Sequence, residues 1–321
     1  RNMYYLQNVA ALRDILKSAG LDVRIGSLLP EITAPTPLEL PNGATLILEP
    51  IKRVGNRVGL DGFDPCAILL NNDLSGGVPD ILRNIEQVIV PPLHAGWATR
   101  RKTNHFAHYD KVAQEFADLI KIDPWLINPY FSRCGEVNFA DSSGLECLSS
   151  NVEFLLPKVQ AKYKEYGISD NPFLIVKADA GTYGMGIMTV KSVDDVTALN
   201  RKQRNKMSVI KEGVEVQEVM IQEGVYTFES INDAVAEPVI YMMDRYVVGG
   251  FYRVHTSRGI DENLNAAGMS FVPLAFETPC HTPDSNDSPS AAPNRFYTYG
   301  VIARLAMLAA AREIDAMEKI D

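Results

Sequence analysis

The chain has 321 residues, 46% of them hydrophobic, and its 31 basic and 40 acidic residues give a net charge of −9. This length exceeds one typical hydrophobic core and suits two domains, or one large domain with a lobe; we place two domains at residues 1–130 and 131–321. The acidic balance argues against a general nucleic-acid or membrane-surface binder, because such proteins need a basic face.

Membrane and metal signals are absent from the sequence. No apolar run reaches the roughly 20 residues that span a bilayer, and no signal peptide is visible, so we expect a cytoplasmic protein. The four cysteines have no Cys-x-x-Cys pair and no histidine at zinc spacing, and we expect them to be buried, reduced thiols: they are Cys66, Cys134, Cys147 and Cys280. Because the chain starts at Arg1, we expect residues to be missing upstream.

The N-terminal third predicts an α/β layer. Apolar residues at helical spacing between residues 5 and 19 predict a helix that Gly20 ends. Short apolar runs then predict four strands, at residues 23–25, 44–51, 67–70 and 87–90. Asn72 and Asp73 follow the third run, and ligands favour such strand ends. These two residues are candidates for binding an amino-acid ammonium, although loops rich in Asn, Asp and Gly are more often plain turns.

A dense basic stretch precedes the second predicted helix. Arginine binds a carboxylate with two hydrogen bonds, so the stretch is a candidate site for a carboxylate substrate. The alternative is a solvated helix start, since apolar residues from Phe106 to Leu119 form the buried stripe of the helix that follows. The basic residues of the stretch are Arg100, Arg101, Lys102, His105 and His108.

The most informative segment, residues 173–187, runs a buried strand into a lysine and then into a glycine-rich loop before a second strand at residues 187–190. The lysine precedes the glycines, and no helix follows, so the segment is neither a P-loop nor a dinucleotide fingerprint. Glycines let backbone N–H groups approach phosphate oxygens closely. The alternative is an ordinary glycine-rich hairpin. The candidate nucleotide ligands are Lys177, Gly181, Thr182, Gly184 and Gly186.

Further elements follow in order. Residues 144–166 predict a helix, and the basic run at 201–211 is expected to be mostly solvated. An apolar strand at 219–225 is broken by Gln222-Glu223-Gly224. Paired strands are expected over residues 236–255, with a tight turn at Gly249-Gly250. A long helix at 297–317 is expected to cover the sheet.

Together these segments resemble proteobacterial glutamate–cysteine ligases of the ATP-grasp type. The resemblance extends over essentially the whole chain and rests on residues 94–97, 100–102, 177–187, 199–206, 222–223, 249–255 and 261–268. It implies an α/β fold, with an ATP-grasp-like domain preceded by a pre-ATP-grasp (Rossmann-like) α/β domain. It also implies small-molecule partners, namely glutamate, cysteine, ATP and Mg²⁺, and leaves open whether the protein forms a homo-oligomer.

The resemblance also implies residue roles. Lys177 and the glycine loop would hold the phosphates, Gln222 and Glu223 the adenine and ribose, and Arg253 the charge that develops on the transferred phosphoryl group. Oxygen ligands for Mg²⁺ would be Glu237, Glu262, Asn263 and Asn265. A second ATP-binding lysine has no clear position in the sequence, and Lys158 is the nearest candidate.

Two other functions stay open. A glutathione synthetase is the first of them, because it would share the ATP-binding residues and because the site for the acceptor amine cannot be identified from the sequence. A protein that binds ATP without catalysis is the third reading, and the retention of Lys177, the three glycines and Arg253 argues against it.

Overall fold

The structure is a computed structural model that describes residues 3–40, 43–71, 74, 77–95, 100–181, 186–208, 215–266, 268–273 and 295–318. It is a mixed α/β protein with several sheets. The chain forms two compact units, residues 1–98 and 99–321. Within the described ranges, no helix combines the length and apolar character that a membrane crossing requires.

The first unit combines one helix with short strands. Its described elements are α1 (Met3–Ser18), β1 (Ile25–Ser27), β2 (Thr36–Glu39), β3 (Thr45–Pro50), β4 (Lys52–Val54), β5 (Arg57–Gly59), β6 (Ala67–Leu69) and β7 (Val88–Val90). β3 lies between β1, its parallel neighbour, and β2, its antiparallel neighbour. β4 and β5 form a hairpin, and β6 and β7 pair in parallel. The predicted first helix is confirmed, and Gly20 has the positive φ of 83° that a helix end favours.

The second unit carries the longer helices and two four-stranded sheets. Its described elements are α2 (Lys102–Ile120), β8 (Phe131–Cys134), α3 (Leu145–Glu165), β9 (Leu174–Ala178), β10 (Ile187–Val190), α4 (Asp194–Thr197), α5 (Arg201–Ser208), β11 (Val219–Glu223), β12 (Glu229–Ile231), β13 (Ala234–Met243), β14 (Tyr246–His255), β15 (Ser270–Pro273) and α6 (Arg295–Glu318). Because α2 packs against α6 and β8, it lies in the second unit, whereas the sequence placed the domain boundary after residue 130.

The first of these sheets, which we call the Lys177 sheet, has the antiparallel order β10-β9-β11-β8. Alternate residues of β9, namely Leu174, Val176 and Ala178, are buried in one large core with α3 and the buried residues of β11. The predicted β9–β10 hairpin is confirmed, with Lys177 opposite Ile187. One face of this sheet is therefore fully covered.

The second sheet, which we call the Arg253 sheet, has the antiparallel order β12-β13-β14-β15. The predicted tight turn at Gly249-Gly250 is wrong. Both glycines lie inside β14, where the register with β13 shifts, and the chain reverses instead at Asp244-Arg245. Asp244 has a φ of 51°, a left-handed conformation that Asp tolerates, and glycine inside a strand commonly accompanies such an irregularity.

The long C-terminal helix packs mainly on another helix. Tyr109, Val112 and Ala113 of α2 form a buried cluster with Leu305 and Ala309 of α6, and α6 makes only a smaller contact with β13. The expectation that this helix covers the sheet is therefore correct only for that smaller contact. Leu119, which the helical spacing predicted to be buried, is 78% exposed, because the buried stripe of α2 stops at Ala117.

The cysteines differ from expectation. Cys134 at the end of β8 and Cys147 in the first turn of α3 form a disulfide. Cys66 is exposed and has no disulfide partner among the described residues. The prediction of reduced thiols is wrong for Cys134 and Cys147, and the prediction of burial is confirmed for Cys134 but wrong for Cys66 and Cys147. Cys280 lies outside the described residues.

Candidate active site

The strand register defines the face of the Lys177 sheet that α3 does not cover, which we call its open face, although Met220 is buried on it. Lys177 lies opposite Met220, and Met220 lies opposite Arg133 on the other side. Gln222 is likewise flanked by Ile175 and Phe131. Because paired residues of an antiparallel sheet project to the same face, Lys177, Arg133 and Gln222 share the face opposite the α3 core.

Lys177 lies in an unusual environment for a lysine. Its Nζ donates a hydrogen bond to Gln222 Oε1 at 2.5 Å and lies 5.5 Å from the centroid of the Phe106 ring. Burial, assisted by the nearby charge of Lys102, lowers the pKa of Lys177 to about 8, while Asp179 opposes this shift. A buried ammonium with little compensating charge attracts an anionic ligand strongly.

The ends of the glycine loop are described, and a second lysine supports them. Gly181 and Gly186 have φ values of 88° and 62°, which favour glycine. Lys102, predicted as a substrate cation, instead donates from Nζ to the backbone carbonyls of Ala178 at 2.7 Å and Gly181 at 3.1 Å. Thr182 and Gly184 lie outside the described residues. Lys102 therefore fixes the base of the loop.

Asp179 joins this loop to helix α2 and was not identified from the sequence. Its buried carboxylate accepts hydrogen bonds from the Thr103 backbone N–H at 2.8 Å and from Thr103 Oγ1 at 2.6 Å. A carboxylate at a helix N-terminus satisfies otherwise unpaired N–H groups. The start of α2 and the Lys177 strand are consequently held in fixed register.

Two guanidinium groups share one carboxylate near the end of β8. Arg133 Nη2 donates to Glu218 Oε1 at 2.5 Å, and Arg101 Nε lies 3.0 Å from Glu218 Oε2. Arg133 is 50% exposed, so it can reach a ligand. No sequence pattern identifies Arg133, because its position beside Lys177 depends on strand order. Lys158, the earlier candidate for a second cation, lies instead on α3 with its Nζ 4.0 Å from the centroid of the Phe154 ring.

Arg100 and His105 have a buried partner far along the chain. Arg100 donates from Nε and Nη2 to the two carboxylate oxygens of Glu313 at 2.9 and 2.6 Å, and His105 Nδ1 lies 3.2 Å from Glu313 Oε2. Burial raises the pKa of Glu313, but hydrogen bonds from His105 and Arg100 outweigh it and lower the value to about 2. This group connects the start of α2 to α6.

Gln222 and Glu223, the last two residues of β11, point to opposite faces of the Lys177 sheet. Gln222 contacts Lys177, whereas Glu223 is buried and accepts hydrogen bonds from Trp125 Nε1 at 3.0 Å and from the Tyr130 backbone N–H at 3.0 Å. Burial raises the pKa of the Glu223 carboxyl. At Gly224 a Cβ would lie 2.1 Å from the Phe173 ring, so glycine is required there.

On the Arg253 sheet, Arg253 and Glu237 are cross-strand partners, and Arg253 Nη1 donates to Glu237 Oε1. Arg253 Nε is buried and has no hydrogen-bond partner within the described part of the chain. Strand alternation places Tyr241, Phe251 and Phe271 on the same face, opposite the small core of this sheet.

The other predicted metal ligands make local hydrogen bonds. Glu262 accepts hydrogen bonds from Arg258 Nη1 and the Gly259 N–H, both at 2.7 Å, and Asn263 Oδ1 accepts one from the Asn265 N–H at 3.0 Å. The described residues contain no group of three or more His, Cys, Asp or Glu that could hold a metal ion. Asn72 and Asp73 lie outside the described residues.

A buried lysine on a strand that leads into glycines at positive φ is a feature that suits an enzyme of the nucleotide-using α/β class. The family model described as GshA: Glutamate-cysteine ligase matches residues 1–314, so the chain belongs to the glutamate–cysteine ligase family. It therefore acts as an ATP-dependent ligase of glutathione biosynthesis that joins glutamate to cysteine.

A solved structure agrees with this assignment. A crystal structure at 1.90 Å of a protein provisionally described as a gamma-glutamylcysteine synthetase, from Methylobacillus flagellatus KT, is 68% identical to the chain. The comparison gives a TM-score of 0.88 and covers 99% of this chain and 75% of the other. No curated protein matches the chain.

Proposed function

We propose that the chain binds ATP in the ATP-grasp manner, with the open faces of the Lys177 and Arg253 sheets on the two sides of the nucleotide. The observation that carries this proposal is Lys177, a buried ammonium beside a glycine loop. The exposed aromatic side chains of the Arg253 sheet offer apolar surface for the nucleotide. The Rossmann-like arrangement predicted for the N-terminal domain, and a substrate role for that domain with Asn72 and Asp73, remain part of the proposal.

The proposed reaction has two steps. A γ-carboxylate oxygen of glutamate attacks the γ-phosphorus of ATP, the bond to the β–γ bridging oxygen breaks, and ADP leaves. The cysteine amine then attacks the γ-carbonyl carbon of the acyl phosphate, phosphate leaves with the C–O electron pair, and the amine loses a proton. The protein supplies positioning and positive potential, and no covalent enzyme intermediate is needed.

Each cation on the two open faces has a distinct task in this scheme. Lys177 holds the β- and γ-phosphates, and Gln222 keeps its ammonium in place in the absence of ligand. Arg133 is the second phosphate cation that could not be placed from the sequence. Arg253 directs its unpartnered Nε at the transferred phosphoryl group.

The cations before α2 divide into two groups. Arg101 shares Glu218 with Arg133, whose Nε also lies 3.9 Å from Asp179 Oδ2, and the partial exposure of both guanidinium groups leaves them able to bind a substrate carboxylate. Arg100, Lys102 and His105 already have partners in Glu313 or in backbone carbonyls, so we propose that they position the loop and helix around the substrate. Glu223 would act through its backbone, because its carboxylate is used by Trp125 and Tyr130.

Mg²⁺ is expected to accompany the phosphates, held by oxygen ligands. Glu237 is the best-placed carboxylate for it, since Glu237 lies beside Arg253 on the open face. Glu262, Asn263 and Asn265 have the right donor chemistry but are hydrogen-bonded locally. If Glu237→Gln and Asn263→Ala both left the magnesium dependence of ADP formation unchanged, these residues would not be ligands.

The decisive experiment is ADP release by the purified protein with ATP and magnesium. Three mixtures are compared: glutamate alone, glutamate with cysteine, and γ-glutamylcysteine with glycine. Turnover that requires glutamate and cysteine supports the proposal, and turnover only with the third mixture would identify a glutathione synthetase. ATP binding without turnover in any mixture would favour a non-catalytic ATP-binding protein. Fractionation of cells would test the proposed cytoplasmic location.

A further inference from the structure

We propose that Cys147 and Cys134 form a thiol–disulfide exchange site for low-molecular-weight thiols, and that the state of this pair sets the affinity for ATP. The part that concerns ATP rests on the proposed function of Arg133, the residue next to Cys134. In reducing compartments, protein disulfides are typically transient and redox-sensing rather than structural.

The two cysteines connect two different elements of the second unit. Cys134 ends β8 and Cys147 lies in the first turn of α3, with 13 residues of sequence separation and 6.2 Å between the Cα atoms. This Cα separation lies within the range that a disulfide requires, so the pair can close without movement of the backbone. Reduction and oxidation can therefore alternate in the folded protein.

The two sulfurs differ in access. Cys134 is buried, whereas Cys147 is exposed, so an incoming thiolate reaches the sulfur of Cys147. Asn151 Nδ2 donates toward both sulfurs, at 3.3 Å to Cys134 Sγ and 3.5 Å to Cys147 Sγ, and is also anchored on the Cys147 carbonyl at 2.8 Å. Hydrogen-bond donors stabilise thiolates, so Asn151 favours the departure of either sulfur.

The exchange is balanced in two steps. A small thiolate attacks Cys147 Sγ, the Cys134–Cys147 bond breaks, and Cys134 leaves as a thiolate that takes up a proton. A second small thiolate attacks the sulfur of the bound small thiol, so a small-molecule disulfide leaves and Cys147 is protonated. Two thiols are oxidised to one disulfide as the protein disulfide is reduced to two thiols, and the reverse reaction oxidises the pair. Cysteine, the substrate, and γ-glutamylcysteine, the product, are thiols of the required class.

The pair is placed to affect nucleotide binding because β8 is an edge strand. Among the described strands β8 pairs with β11 alone, and the disulfide links the end of β8 covalently to α3. Arg133 immediately precedes Cys134 and lies on the open face beside Met220 and Lys177. Opening the disulfide removes that link and loosens the strand that positions Arg133. The oxidised protein is thus the form that binds ATP more tightly, and oxidation of the small-thiol pool would increase synthesis.

The test uses samples of the full chain that are equilibrated at different ratios of reduced to oxidised glutathione. Alkylation followed by mass spectrometry measures the oxidation of Cys134 and Cys147 individually, and equilibrium ATP binding is measured on the same samples. We expect one transition in which both cysteines change together and the dissociation constant for ATP rises about fivefold on reduction, the lower end of typical coupling between sites. Cys147→Ser should bind ATP with the weaker affinity in every mixture, whereas Cys66→Ser should keep the full response.

Three results would overturn the proposal: no joint transition of the two cysteines, equal ATP affinity in both states, or a response that survives in Cys147→Ser. Cys147→Ala repeats the test if the serine variant does not fold as judged by circular dichroism. Because neither thiol titration nor ATP binding requires turnover, these outcomes are independent of the substrate panel. If the protein does not ligate glutamate and cysteine but its ATP affinity still changes with oxidation of the two cysteines, the proposed reaction is wrong and the proposal for the disulfide stands.

Discussion

The Lys177 and Arg253 sheets each have four antiparallel strands, but they differ in the hydrophobic core that packs against them. The covered face of the Lys177 sheet packs on α3 through a large cluster that includes Leu174, Val176 and Ile221. The buried cluster of the Arg253 sheet consists of Ala234, Ala236, Tyr252 and Val254, with a few partly buried neighbours.

The two open faces also differ in the side chains that they carry. The Lys177 face combines Lys177, Gln222 and Arg133 with apolar side chains such as Met220, whereas the Arg253 face carries aromatic side chains, of which Tyr241 and Phe271 are more than half exposed. Clustered exposed aromatic residues commonly mark a binding surface. The comparison teaches that the Lys177 sheet is the better supported element, which suits the phosphate platform proposed for it, while the Arg253 sheet has a smaller core and an aromatic face that a ligand would cover in the same proposal.

The largest expected effect is the loss of the Lys177 charge. Lys177→Met should lower kcat/KM for ATP by about 10³-fold, because it removes a preorganised cation from the phosphates. ADP release under saturating amino acids measures it. Lys164→Met, which changes an exposed lysine on α3, is the matched control and should be unchanged. Equal losses in the two variants would show that Lys177 has no special role.

The contribution of the large core to stability is tested at Leu174, which lies on the same strand as Lys177 but on the covered face. Leu174→Ala should lower the free energy of unfolding by about 2–5 kcal/mol, since it leaves a cavity in the large core. Phe271→Ala, on the open face of the Arg253 sheet and 57% exposed, should change stability by about 0.5 kcal/mol or less. Chemical denaturation followed by circular dichroism measures both. Comparable destabilisation would contradict the distinction between a supported and a weakly supported sheet.

Local patterns were readable from the sequence where neighbours in sequence are also neighbours in space. The β9–β10 hairpin, helix α3 and the position of Lys177 follow from apolar alternation and the glycine loop, and the structure confirms the elements. The turn at Asp244-Arg245 was missed because Gly249-Gly250 carries the stronger turn signal, although these glycines accommodate an irregular strand.

Charge partners could not be read from the sequence, since they depend on tertiary contacts. Arg100 and Glu313 are more than 200 positions apart, and only the packing of α6 on α2 brings them together. Arg133 acquires its place beside Lys177 from the strand order of the sheet. A basic stretch therefore indicated a site but not which of its cations already has an internal partner.

The role of the Arg253 sheet in catalysis is tested at the arginine. Arg253→Met should lower kcat by about 10²-fold with a smaller change in KM for ATP, because the proposed contact strengthens only as charge develops on the phosphoryl group. Steady-state ADP release separates the two constants. Arg245→Met, at the exposed turn of the same sheet, is the control and should retain activity. A change confined to KM would assign Arg253 to ground-state binding instead.

A smaller effect is expected for the second cation of the Lys177 sheet. Arg133→Met should raise KM for ATP about tenfold and leave kcat nearly unchanged, since Arg133 is half exposed and shares its charge with Glu218. Lys158→Met tests the alternative position for this cation and should have no effect on KM. The reverse result would place the second phosphate cation on α3.

The last predicted effect, which is small near neutral pH, is a dependence of ATP affinity on pH. The pKa of Lys177 in the free protein is lowered to about 8, so its positive charge is complete well below this pH and is lost as the pH rises through it. ATP requires the charged form, and KM for ATP should be flat below pH 8 and rise toward tenfold per pH unit above it. In Lys177→Arg the guanidinium stays charged, so the variant should bind ATP more weakly overall but lose the rise above pH 8. If the variant kept the same rise, another group would control it, and burial of Lys177 on the open face would have no consequence for nucleotide binding.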